Sequence, residues 1–388
     1  MRLAYTEKQK RFRAEVREWM AANVPSQPLP SFDTEEGFAA HREWERTLNR
    51  NAFSAVTWPR HLGGRGLDLI EWLIFEEEYW AARAPLRVNQ NGVFLLAPTL
   101  MEYGTEEQKA RFLPRMAAGD DIWAQGWSEP GAGSDMAAIR SKAVRDGDHY
   151  VINGQKTWST RAVWADWLFG LFRTEPESQR HHGLTFVLLP LNLPGITIRP
   201  IRQLNGLPGF AEIFFDNVRV PVENRLGGEG EGWKICMATA GFERGLMLRS
   251  PARFQQTARQ LVDLYRAHQD SADSDPGVRD AVLKSWMDAE AYALATYRTA
   301  SRLAKGGQIG AEASTNKIFW SELDLLMHET AMSILGARGE LMAHAPDAGD
   351  VGHWLDGFLF AQAGPIYAGT NEIQRNIIAE RMLGLPRA

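Results

Sequence analysis

The chain has 388 residues, 44% apolar and 23% charged, enough for two or three compact units sharing cores. Its formal charge of −5, from 43 basic and 48 acidic side chains, offers no basic surplus for nucleic acid or an anionic membrane. A single cysteine, Cys236, excludes an intramolecular disulfide and any multi-cysteine metal site.

The N-terminal stretch MRLAYTEKQKRFRAEVREW is charged from its start and lacks the apolar core of a secretory signal. No run reaches the roughly 18 apolar residues of a membrane span, so a cytoplasmic protein is expected. Residues 1–121 read as helical. Phe12, Val16 and Met20 recur every four residues, one face of a helix. LDLIEWLIFEEEYWAA at 67–82 is a second amphipathic run. TEEQ at 105–108 is a capping-box pattern, opening a helix that ends near Gly119.

Residues 122–228 change character. WAQGWSEPGAGSD at 123–135 is a loop by its Gly, Pro and Ser content, either a plain connection or a cofactor cradle. In HYVINGQKTW, Asn153-Gly154 between two β-type runs predicts a two-residue hairpin. GLTFVLLPL, GITIRPI and AEIFFDNVRVP follow as short strands of a β barrel or sandwich. GGEGEG at 227–232 lacks the Lys-Ser/Thr pair of a phosphate loop and carries two acids, so it reads as a turn. His181-His182 reads as a surface loop, and no metal site is expected.

From residue 229 onward the pattern is helical again, with a break expected near Ser250-Pro251 and a polar loop at 270–277. The last stretch, IYAGTNEIQRN at 366–376, is a loop running into a helix. The fold class expected is α+β, with an N-terminal helical domain at 1–121, a β domain at 122–228 and a helical bundle at 229–388. Fourteen tryptophans suit a flat or bulky ligand about as well as a Trp-rich core.

WSEPGAGSD, then INGQKTWST, then a helical region ending YAGTNEIQRNIIAERMLGLP, resembles the acyl-CoA dehydrogenase family in motif order and architecture. The resemblance implies a C-terminal four-helix bundle and FAD held at the junction of β domain and helices. Gln125, Trp127 and Ser128 would face the flavin, with Gly133 and Ser134 toward the cofactor–substrate boundary. Trp158 would stack near the ring, and Ser159 and Thr160 would hydrogen-bond it. Tyr367, Thr370 and Glu372 would reach the flavin and its ribose or pyrophosphate, the start of a helix being a sound site for an anion.

The family reaction removes an α-proton from an acyl-CoA thioester and passes the β-hydrogen to the flavin. In many members the base stands in the C-terminal loop, where this chain has Ala368. In a second branch, including isovaleryl- and long-chain-type enzymes, the base precedes an Arg on a bundle helix. Glu243-Arg244 in GFERG matches that pattern. A helical Glu is ordinarily a solvated surface residue, but Ala240, Phe242, Leu246 and Met247 around Glu243 make no polar face. The flanking Gly241 and Gly245 cost helix stability and suggest close approach of something bulky. By resemblance, Ser134, Arg244 and Ala368 border the substrate.

Two family motifs are missing. An Arg-x-x-Phe-Gly element is absent from RAHQDSADSDPGVRDAV, and a Gln-x-x-Gly-Gly-x-Gly turn is reduced to SILGARG, with Ser333 and Ala337 at two positions. The chain is therefore either a FAD-dependent acyl-CoA dehydrogenase, homo-oligomeric (dimer or tetramer) or paired in a heterotetramer with a related subunit, or a non-catalytic partner in such a pair. An acyl-CoA oxidase on the same fold is a third reading. For the dehydrogenase, an electron-transfer flavoprotein is the expected electron acceptor. The space left by Ala368 favours branched, bulky or ring-containing acyl groups, such as sterol-degradation intermediates.

Overall fold

The computed structural model of the chain describes residues 4–175, 177–243, 249–268, 275–307, 309–343, 345–349 and 351–386, with Phe242 and Glu243 described at the backbone alone. The helices are α1 (Glu7–Asn23), α2 (Glu35–Asn49), α3 (Leu69–Ala81), α4 (Ala97–Tyr103), α5 (Glu106–Ala118), α6 (Gly232–Glu243), α7 (Pro251–Ala267), α8 (Pro276–Leu303), α9 (Ala313–Leu335), α10 (Gly352–Ala361) and α11 (Asn371–Arg381). The strands are β1 (Trp123–Gly126), β2 (Lys142–Asp146), β3 (His149–Thr160), β4 (Trp167–Arg173), β5 (Leu184–Pro190), β6 (Ile196–Ile201), β7 (Phe210–Pro221) and β8 (Arg225–Leu226). The fold is α+β: helices toward both ends of the chain and a mixed sheet between them.

Local chemistry sets the helix starts. Thr6, Asp68 and Thr105 each accept from a first-turn N–H while Gln9, Glu71 and Gln108 reach back, so all three helices open on capping boxes. Phe12, Val16 and Met20 are the buried face of α1, and α5 stops at Gly119 with φ +73°. Gln108 has a second task. Its Nε2 donates to the carbonyls of Glu223 and Arg225, both at 2.8 Å, tying α5 to the end of the sheet.

The chain divides into two compact units. One comprises Met1–Val24, Asp68–Ala84 and Arg244–Ala388. In it α3 packs on α1, α7 and α8, and α9 touches α7, α8, α10 and α11. Phe254, Leu261, Tyr292, Trp320, Met327 and Trp354 are prominent in its core. Arg13 bridges Glu77 and Glu78 to bind α1 to α3, and Arg253 donates to Asp324 at 2.8 Å.

The other unit comprises Pro25–Leu67 and Pro85–Glu243. Its sheet has eight strands in the order β6-β7-β3-β2-β4-β5-β8, with β1 parallel to β4. Two expectations need correction here. The hairpin turn lies at Gly147, φ +62°, between β2 and β3. Asn153-Gly154 sits inside β3, at a register shift against β7. Gly154 adopts φ +146°, and a Cβ there would meet the Ser141 Oγ at 2.3 Å, so this glycine serves a bulge and a close strand approach rather than a turn. Likewise Trp123–Gly126 is a strand and not loop, because its apolar face pairs beside Trp167–Gly170. Helix α6 packs on β5, on α4 and on a π-helical turn at Asn91–Leu96. Asn89 fixes the start of that turn, donating to the carbonyls of Met116 and Asp121 and accepting from the Trp123 N–H.

Candidate functional site

In the sheet unit, β3 and the loop after β1 come together. Thr157 N–H donates to the Ser128 carbonyl at 2.9 Å. Lys156, fully buried, spends its ammonium on the Trp127 carbonyl (3.2 Å), Glu129 Oε1 (2.8 Å) and the Leu171 carbonyl (2.7 Å). Burial would raise the Glu129 carboxyl, but Lys156 and the Arg140 N–H hold it below the ordinary range. Burial pushes the Lys156 ammonium down and Glu129 counters it, so the two hold each other and shape the loop. Gln125 is half-buried in β1 opposite Phe169, and Trp127 stands edge-on to the same ring.

Trp158 follows on β3 at a second register shift. Its φ is +58°, a left-handed value costly for a bulky side chain. Its ring is 60% exposed and touches Phe210 edge-on. Ser159 beside it is buried, and its hydroxyl has no hydrogen-bond partner among the described residues; the same holds for Trp127 Nε1. Gly133 and Ser134 lie on the exposed outer loop, where a Cβ added at Gly131 or Gly133 would enter open space. An exposed flat aromatic, an open glycine loop and unused buried donors fit a flat, polar-edged ring such as a flavin. Glu243 is the last described residue of α6, in this same unit; its side chain and all of Arg244 lie outside the described residues.

In the helical unit, the loop before α11 is held from several sides. Tyr367 stacks on Trp320 with centroids 5.9 Å apart, and the Arg249 guanidinium lies over both rings at 5.2 and 4.9 Å. Ala368 and Gly369 are consecutive left-handed residues, φ +55° and +76°. Gln374, buried, donates to both of their carbonyls at 3.2 Å. The Thr370 hydroxyl caps α11 by accepting from the Ile373 N–H, and the Asn371 side chain takes the buried Lys317 ammonium at 2.8 Å. Glu372 is exposed in the first turn, its carboxyl held low by its own N–H and the Thr370 hydroxyl. Of the altered motifs, Ser333 ends up on α9 and Gly336 turns the chain at φ +53°; RAHQDSADSDPGVRDAV falls partly outside the described residues.

Gly369→Ala is expected to cost about 1–2 kcal/mol, since it forces a side chain into left-handed backbone. The new Cβ would also meet Gln374 Nε2 at 2.5 Å. Thermal unfolding measures the loss, and an unchanged midpoint would show the loop to be plastic.

Lys156, Glu129, Arg161 and Asp33 escaped sequence reading as contributors to this region. Their only signal is ionisable residues inside otherwise apolar strand or loop text.

These two sets of residues sit in a chain matched, in order, by family models for the acyl-CoA dehydrogenase N-terminal domain (residues 6–120), middle domain (124–218) and C-terminal domain (230–383). The chain belongs to the acyl-CoA dehydrogenase family, whose members are FAD-dependent oxidoreductases. Acyl-CoA dehydrogenase IpdE1 of Mycobacterium tuberculosis is 41% identical over 97% of each chain. Among solved structures, the Tcur3481-Tcur3483 steroid ACAD superposes with a TM-score of 0.87 at 29% identity over the whole of both chains. The ChsE4-ChsE5 complex from Mycobacterium tuberculosis gives 0.84 at 34% identity, again over the whole of both chains. Among the described residues no helix is long and apolar enough to cross a membrane.

Proposed function

We propose that this acyl-CoA dehydrogenase binds FAD and oxidises a ring-containing, sterol-derived acyl-CoA to its α,β-unsaturated thioester, with Glu243 as base. The observation that carries the reading is the pairing of an acid-free Ala368 with a Glu on α6 directly before an Arg in sequence. A similar solved structure, the Tcur3481-Tcur3483 steroid ACAD, supports the substrate class.

In the sheet unit, Gln125, Trp127 and Ser128 serve the flavin edge from the loop, and Trp158, Ser159 and Thr160 from β3. Gly133 and Ser134 line the approach of cofactor and substrate. In the helical unit, Tyr367, Thr370 and Glu372 serve the ribose and pyrophosphate part, of the same or a neighbouring subunit. When bound, FAD supplies a two-electron acceptor for the β-hydrogen. Glu243 takes the α-proton as the general base. Arg244, the next residue in sequence, contacts the thioester or CoA. Ala368 leaves room beside the reacting carbons. The functional domains run 1–121, 122–228 and 229–388, and an electron-transfer flavoprotein takes the electrons.

The missing Arg-x-x-Phe-Gly and Gln-x-x-Gly-Gly-x-Gly elements favour a second reading of assembly, in which an unlike subunit completes the adenine end of the FAD site. The similar ChsE4-ChsE5 complex joins two partners, which supports that pairing.

The test is a panel of straight, branched and ring-containing acyl-CoA thioesters, scored by anaerobic bleaching of the flavin. Bleaching by ring-containing thioesters is expected. Bleaching by straight chains alone removes the substrate class, and none with any thioester, with or without a partner subunit, removes the activity. Purifying the chain alone and finding stoichiometric flavin would count against the unlike partner.

A further inference from the structure

Two left-handed non-glycine residues fall within four positions at the end of strand β3, Trp158 inside it at φ +58° and Arg161 just beyond it at φ +50°. Such backbone persists only where its surroundings over-determine it. Here an ion pair stands at each end. Upstream, the buried Lys156 ammonium is saturated by Glu129 and two carbonyls, and Glu129 in turn accepts the Arg140 and Ser141 N–H groups at 2.6 and 3.0 Å. Downstream, Arg161 Nε donates to Asp33 Oδ1 at 3.0 Å, its guanidinium lies 3.8 Å over the Phe32 ring, and its N–H donates to the Gly209 carbonyl. Asp33 is itself buried and also accepts from Gln203 Nε2 at 2.9 Å. Between the two anchors lie the register shift, the exposed Trp158 ring and the unpartnered Ser159 hydroxyl.

We propose that the Lys156–Glu129 and Arg161–Asp33 pairs are positioning residues of the flavin site, clamping the last stretch of β3 on both sides of Trp158–Thr160 in the strained form that presents Trp158 and Ser159. The proposal rests on the reading that Trp158–Thr160 face FAD. Neither pair touches the reacting atoms. Each acts through the backbone: one fixes the spacing of β3 from the loop at Trp127–Glu129, the other stops β3 relaxing to extended geometry beyond Thr160. Breaking either pair lets Trp158 return to an ordinary strand conformation, which swings its ring and the Ser159 hydroxyl away from their present directions.

The test compares wild type, Arg161→Gln, Arg161→Lys and Glu129→Gln, each with the partner subunit if FAD retention needs one. FAD affinity is read by flavin fluorescence, the flavin environment by its visible absorption band, and the clamp itself by hydrogen exchange at the Thr157 and Arg161 amides. The Gln variants are expected to bind FAD at least tenfold more weakly, with a shifted flavin band and at least tenfold faster exchange at both amides. Arg161→Lys keeps the ion pair and is expected to stay within threefold of wild type. Should Glu129→Gln fail to fold, Arg161→Gln, at the less enclosed anchor, decides alone. Folded Gln variants with wild-type affinity and flavin band overturn the proposal. A wild-type protein that takes up no FAD in any form overturns the flavin reading first, and the proposal with it.

Discussion

Glu243→Gln is expected to slow single-turnover bleaching of the flavin by an acyl-CoA about 10²–10⁴-fold, the usual worth of a positioned general base. The substitution keeps the length and hydrogen-bonding capacity of the side chain and removes only its basicity. Thioester affinity should therefore hold within a few-fold, so the loss falls on the chemical step and not on binding. A control sits in the C-terminal loop. Ala368→Gly removes a side chain from a position at φ +55° and should leave the rate within a few-fold, because Ala368 carries no proton. Stopped-flow absorbance with saturating substrate separates the outcomes. Wild-type bleaching in Glu243→Gln would place the base elsewhere; a slow Ala368→Gly would mean the loop sets more than the space beside the substrate.

Arg87→Met is expected to destabilise the sheet unit by about 3–5 kcal/mol, the cost of leaving one partner of a buried ion pair alone. Arg87 Nε donates to Glu45 Oε2 at 2.7 Å, and the two side chains are 7% and 1% exposed. The second Glu45 oxygen accepts the Asn89 N–H at 3.1 Å, and Arg87 also donates to the Ser54 carbonyl at 2.8 Å. Through Asn89 the disturbance reaches the Trp123 N–H, where β1 begins and two residues before Gln125. Reduced FAD retention should accompany the lower stability. Paired with Glu45→Leu, which removes the stranded carboxylate, the substitution should recover more than half of the loss. Denaturant unfolding of both variants checks this; a single-variant loss below about 1 kcal/mol would mean water relieves the pair.

Local signals were the readable part of the chain. Thr105 and Gln108 are three residues apart and meet on one helical turn, so the start of α5 stands in the text as it stands in space. Phe12, Val16 and Met20 share a face for the same reason. Asn153-Gly154 misled because a hairpin and a bulge both call for a residue free of Cβ, and only the neighbouring Ser141 decides between them. The clamps around Trp158 were invisible, since Arg161 and Asp33 lie 128 positions apart and Lys156 and Glu129 lie 27 apart. Nor does any local rule predict that Trp158 would take up left-handed backbone. The proposal for Glu243 rests on a pattern of residue types, with Ala368 as its complement far along the chain.

Gln108 shows how a position can be tolerant by one rule and intolerant by another. Ranked by helix-capping chemistry alone, glutamate is an equal replacement, and a stabilisation campaign scanning caps would accept it. Yet a carboxylate has no hydrogen to give, and the carbonyls of Glu223 and Arg225 would lose their donor and face a negative charge instead. The seam it closes joins residues over a hundred positions apart, so exchanging the middle segment between relatives would work only if α5 travelled with it.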